Sequence, residues 1–134
     1  MIWKEKQVGI LYFRSVRAFL KAPQIPPQHD KLKELNAKAA VFGIPFDSSV
    51  IYRSGASMGP KALRDASVQF ISYHYEYDQD ILETYRLVDC GDPNVIPSNA
   101  AKTLENASRD ILEILNVDAM PVILGRPFDY CGRN

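Results

Sequence analysis

Two runs of consecutive apolar residues stand out in an otherwise mixed chain: residues 39–44 (A-A-V-F-G-I), ended by Pro45, and residues 120–124 (M-P-V-I-L), ended by Gly125. Unbroken apolar runs of this length predict strands buried on both faces, as in a parallel sheet. Residues 85–90 form a third strand candidate, stopped by Gly91, Asp92 and Pro93. Between the strands the pattern changes to a helical one. Pro60 follows Gly59 where a first-turn proline belongs, and Lys61, Ala62, Leu63 and Arg64 behind it favour helix, predicted to run to about Val68 or Phe70. Ser98 is the predicted N-cap of a second helix. That helix places Leu104, Ala107, Ile111, Ile114 and Leu115 on one face, with Lys102, Glu105, Arg109 and Asp110 mostly on the other. The order strand, helix, strand, helix, strand predicts an α/β domain with a parallel sheet and right-handed crossovers.

The remaining segments lack a clear period. Residues 1–30 are expected to form an arm, with a short strand or helical turn over 11–20 and prolines 23, 26 and 27 preventing a regular element. A loosely held tail is the alternative. Residues 31–37 predict a helical turn, and 73–80 (Y-H-Y-E-Y-D-Q-D) are polar and aromatic, with Tyr73, Tyr75 and Tyr77 able to share one face of a small strand.

At 134 residues, 46% hydrophobic and 24% charged, the chain is long enough for one cored domain and too short for two. A formal net charge of +0 provides no electrostatic basis for binding nucleic acid or an anionic membrane surface. No apolar run is long enough to span a bilayer. The N-terminus, M-I-W-K-E-K-Q-V-G-I, does not read as a secretory signal, and the two cysteines, Cys90 and Cys131, are unclustered. A reducing, cytoplasmic setting is therefore expected.

Ligands of open α/β sheets sit beyond the carboxyl ends of the strands. Here those ends are the loop from Asp47 to Gly59, the turn from Asp89 to Asp92, and Gly125 onward. Gly55 and Gly59 serve either turn formation and helix initiation or a close approach to an anion at the helix start. Asp47, Asp89 and Asp92 could bind a cation, act as bases, or cap loop amides. Arg53 could hold a carboxylate or pair with a neighbouring loop. His29 and His74 have no partner at metal-ligand spacing, and no nucleophile elbow, Cys/His pair or zinc pattern is present.

The stretch 43–64, G-I-P-F-D-S-S-V-I-Y-R-S-G-A-S-M-G-P-K-A-L-R, is similar to the first strand, loop and helix of the ureohydrolases, the arginase/agmatinase family. It is closest to the agmatinase and guanidinobutyrase branch, which reads G-x-P-F-D-x-G-x-x-x-R-x-G-A-x-x-G-P-x-A-I-R. V-D-C-G-D-P-N-V-I-P resembles the family's second strand and G-D turn, K-T-L-E-N through M-P-V-I-L-G the next helix and strand, and R-A-F-L-K-A-P the N-terminal arm. Ser49 departs from the pattern, which usually has Gly there. The resemblance implies an arginase-like three-layer αβα domain on a parallel sheet, incomplete in this chain, and homo-oligomers, usually trimers or hexamers. It also implies a guanidino substrate of the agmatine or guanidinobutyrate type, cleaved to urea and an amine by water activated between two Mn ions. Asp47, Arg53, Gly55, Gly59 and Asp92 are the residues expected to shape the loop or the substrate side of the site.

In the family the first metal ligand is the His of G-G-D-H-S, directly after the strand matching 120–124. This chain reads L-G-R-P-F-D-Y-C-G-R-N there, with no His beyond His74. The expectation is a domain layout of arm (1–30), N-terminal ureohydrolase portion (31–125) and aberrant tail (126–134), with no catalytic or metal-binding residues, no bound Mn and no activity of its own. One degenerate coding string for residues 125–134, GGG CGA CCA TTC GAT TAC TGC GGA AGA AAT, spells G-D-H-S-I-T-A-E-E when read one base on. A frameshift near Gly125 is expected on that basis. The alternative function is a non-catalytic module that associates with intact ureohydrolase subunits.

Overall fold

β1 (Ala39–Gly43) is buried at every position and forms the middle of the sheet. The computed structural model describes residues 18–47, 55–96 and 99–125. β4 (Leu87–Asp89) and β5 (Met120–Leu124) flank β1, both parallel to it, in the order β4-β1-β5. The register sets Val41 opposite Asp89 on one side and Val122 on the other. The three predicted strands are thus present and parallel. β4 is shorter than expected, because Tyr85 and Arg86 belong to the turn that closes the one-turn helix α3 (Ile81–Thr84).

Side chains alternate across the sheet and define two cores. On one face, Ala40, Phe42, Val88 and Cys90 pack against Leu32 of α1 (His29–Glu34) and against Ala107 and Ile114 of α4 (Ala100–Leu115). On the other, Ala39, Val41, Leu87 and Leu124 pack under Ala22, Phe19 and Leu82. α2 (Gly59–Ser67) contacts β5 and the 3-10 turn Phe19–Lys21. Helical layers therefore cover both faces of a parallel sheet, a partial αβα arrangement. Residues 73–80 form a hairpin, β2 (Tyr73–His74) antiparallel to β3 (Gln79–Asp80). Tyr75 and Tyr77 fall outside both strands, so the three tyrosines do not share one strand face.

Two readings of α4 are corrected. The cap of α4 is Asn99, whose side chain accepts from the Lys102 N–H at 3.0 Å; Ser98 lies outside the described residues. Asn serves as well as Ser at this position, and its placement one residue later starts the helix at Ala100. The inward face of α4 is also rotated from the predicted one. Thr103 and Asn106 are buried, whereas Leu104 and Leu115 are exposed. The polar side chains are tolerated inside because the loop before the helix satisfies them. Thr103 Oγ1 accepts from Ile96 N at 2.9 Å, and Asn106 Nδ2 donates to Asn94 O at 2.9 Å. The part of the arm that is described runs over the sheet edge as an arm would, and is not loosely held. Ile25 N donates to Asp89 O at 3.1 Å and Asp89 N to Pro23 O at 2.8 Å, so residues 23–25 run along the outer edge of β4.

Candidate functional site

The carboxyl ends of β1 and β4 hold a buried charge cluster built around Arg64. Arg64 is 1% exposed and Asp89 is fully buried. Arg64 Nε donates to Asp89 Oδ2 at 2.8 Å and Nη2 to Asp89 Oδ1 at 2.9 Å, a two-pronged pairing. Nη1 donates to Asp92 Oδ1 at 2.7 Å, and Nη2 also reaches Gly91 O at 3.1 Å. Asp89 accepts two further bonds, from Phe19 N at 2.8 Å and Gly91 N at 2.9 Å. One side chain of α2 thereby ties together the end of β4, its Gly91–Asp92 turn and, through Asp89, the arm. Burial works against the charge of Arg64, but the Asp89 and Asp92 carboxylates outweigh it and hold the proton above the ordinary arginine range.

Asp47 holds the start of the 3-10 turn that precedes α2. Its carboxylate accepts from Gly55 N at 2.6 Å, Ala56 N at 3.0 Å and Ser57 Oγ at 3.2 Å. Gly55, at φ +131°, lies in a region that L side chains rarely adopt and turns the chain into the 3-10 turn Ala56–Met58. Gly59 opens α2 with ordinary helical angles, and Pro60 sits in the first turn of that helix. Arg53 lies outside the described residues.

The Gly55 amide, aided by Ala56 and Ser57 and opposed by desolvation, holds the Asp47 carboxyl below its ordinary 3.8. A lowered folded-state value makes the clasp fully present above the ordinary carboxylate range and lost as pH falls through the lowered value. An NMR titration of the Asp47 carboxyl carbon is expected to give a midpoint below 3.8. A midpoint at or above the ordinary value would remove the clasp.

Asp47, Asp89 and Asp92 all come to the carboxyl end of the sheet, yet each faces donors of the protein itself. His29 is in α1 and His74 in β2, in separate elements. Among the described residues no three His, Cys, Asp or Glu side chains are grouped so as to hold a metal. The Cys90 thiol is pushed up to about 12, first by burial and then by the nearby Asp89 and Asp110 charges, so it is not a ready nucleophile. The pairing role of Arg64 was not foreseen. Arg64 closes the quoted motif, but a helix-forming Arg carries no local sign of partners 25 residues away.

Residues 37–125 match the arginase family, and the chain belongs to it. Of its relatives, the N(1)-aminopropylagmatine ureohydrolase of Thermococcus kodakarensis is 34% identical over 109 residues, covering 79% of this chain and 35% of that protein. The agmatinase of Pyrococcus horikoshii is 34% identical over 92 residues, covering 67% and 32%. The solved structure of proclavaminate amidino hydrolase from Streptomyces clavuligerus superposes with a TM-score of 0.70 at 22% identity, covering 83% of this chain and 35% of that one. The chain thus spans about a third of the length of the curated relatives it matches, and its fold is a part of the arginase-like one.

Proposed function

We propose that the chain is the N-terminal portion of an agmatinase-like ureohydrolase. The complete protein would hydrolyse a guanidino compound of the agmatine or guanidinobutyrate type to urea and an amine. The observation that carries this reading is the sequence of residues 43–64, whose strand end and helix start lie at the carboxyl end of the sheet, in a chain whose relatives include a ureohydrolase and an agmatinase.

A Mn pair would supply the activated water in the complete enzyme. The described residues do not fit such a pair. The carboxylates at the strand ends are engaged by the Arg64 guanidinium and by loop N–H groups, which a cation would have to displace. Their place in the function is to frame a site. The Asp47 clasp ties the chain just after β1 to the 3-10 turn before α2, and the Arg64 cluster fixes the turn after β4. The ligands belong to sequence beyond 125, where the shifted reading of residues 125–134 supplies a G-D-H-S motif.

Sequencing the coding DNA from the Leu124 codon onward tests the shifted frame. A frame without a His-containing ureohydrolase motif would end that part of the proposal. The purified chain is expected to release no urea from agmatine or guanidinobutyrate with Mn²⁺. Urea release above the protein-free control would overturn its assignment as inactive.

A further inference from the structure

Leu20 and Lys21, in the 3-10 turn Phe19–Lys21, both have a left-handed backbone. Leu20 lies at φ 51°, ψ 25° and Lys21 at φ 60°. The other non-glycine residues with positive φ among the described ones are isolated, and all but Arg86 are Asn or Asp: Asn36, Asp78 and Asp118. Asn and Asp tolerate this region because a short polar side chain can hydrogen-bond locally, a relief that Leu and Lys lack. Two such residues in succession persist only where their surroundings hold them.

What holds them here is the buried charge cluster. Leu20 N donates to Ser67 Oγ at 2.9 Å, and Ser67 Oγ donates to Arg64 O at 2.7 Å. Phe19 N donates to Asp89 Oδ2 at 2.8 Å, the same oxygen that accepts from Arg64 Nε. Ala18 and Ala22, on either side of the turn, are buried, whereas Lys21 is exposed. Immediately after the turn, Pro23 O and Ile25 N bracket the backbone of Asp89 and tether the chain to the edge of β4. Backbone strain therefore pushes the turn away from the sheet, two buried acceptors hold it down, and residues 23–25 keep it from leaving. The Asp89 carboxylate also serves the other side. Its Oδ1 accepts from Gly91 N at 2.9 Å and from Arg64 Nη2 at 2.9 Å. Arg64 in turn holds Asp92. The arm and the turn after β4 thus share one carboxylate and one guanidinium.

We propose that residues 18–22 are a strained latch, a two-state element that opens without global unfolding, pivots at Pro23 and, by withdrawing the Phe19 amide from Asp89, loosens the Gly91–Asp92 turn at the carboxyl end of the sheet. Opening relaxes the two left-handed residues and costs two hydrogen bonds to buried acceptors together with the cover of Ala22. Terms of opposite sign at one short turn place the opening below the global stability, as for other local openings. Input is a pull on the arm, and output is the order of a turn that frames the strand ends. The latch goes beyond the ureohydrolase reading and does not rest on it, since every contact it uses lies within this chain.

Native-state hydrogen exchange of the full 134-residue chain reads the latch amide by amide. The Phe19 and Leu20 amides are expected to share one opening equilibrium, about tenfold more open than that of the tethering Ile25 amide. Lys21→Gly suits a positive φ and should raise the protection of Phe19 and Leu20 about threefold. Lys21→Val, β-branched and unsuited to that region, should lower it about tenfold. Ser67→Ala removes one holding group without touching the strained residues and should also lower it, about threefold, with the far-UV circular dichroism unchanged. In each variant the Gly91 amide should move in the same direction by about twofold or more, since it shares Asp89 with Phe19. Phe19 and Leu20 amides that exchange only through global unfolding would overturn the latch, as would protection indifferent to both Lys21 substitutions. A Gly91 amide that stays fixed while Phe19 and Leu20 respond would overturn its link to the turn.

Discussion

Arg64→Ala is expected to cost about 3–5 kcal/mol, the usual penalty for breaking a buried ion pair by removing one partner. Asp89 is fully buried and would lose both prongs of the guanidinium, keeping only the amides of Phe19 and Gly91. Domains of this size are stable by roughly 5–15 kcal/mol, so the loss would take much of the total. The urea midpoint, read by circular dichroism, should fall steeply or the transition should vanish. Arg64→Lys should lie between, since an ammonium keeps the charge and loses the fork. Arg64→Met combined with Asp89→Asn should recover part of the loss, because the amide oxygen can still accept from one of the two backbone N–H groups and no fully buried charge is stranded, Asp92 being partly exposed. A single Arg64→Ala chain with an unchanged midpoint would show that the cluster does not hold the turn after β4.

β1 was legible because it is buried at every position, which leaves an unbroken apolar run that local sequence displays directly; β5 shows the same kind of run, although its Met120 and Ile123 are exposed and not buried as the run predicts. The start of α2 was legible for a similar reason: Pro60 and the glycines before it act on their own backbone. The face of α4 was less so. Leucines at 104 and 115 read as core by periodicity, and Thr103 and Asn106 were not among the predicted core positions, but which flank turns inward depends on loop carbonyls and amides that satisfy the polar pair. The Arg64 cluster was hidden most fully. Its partners come from another strand and turn, and the carboxylates at 89 and 92 read equally well as cation ligands until their donors were placed.

Gly43→Ala is expected to destabilise the domain by about 1–3 kcal/mol, the range for forcing an extra methyl into a packed site. The reason is local crowding at the end of β1. A Cβ on Gly43 would overlap Asp92 Oδ1, approach Pro60 Cβ to 2.8 Å and come within 3.1 Å of Arg64 Nη1. Asp92 is not free to swing aside at no cost, because its carboxylate is held by Arg64 at 2.7 Å, and Pro60 is a ring fixed in the first turn of α2. The missing side chain at 43 is therefore what allows α2 and the turn after β4 to meet over the strand end. A double-mutant cycle separates the two obstacles. Asp92→Ser should relieve a large share of the Gly43→Ala cost, leaving the part due to Pro60. Equal costs in both backgrounds would assign the crowding to Pro60 alone, and no cost in either would show that the strand end has slack the packed geometry does not reveal.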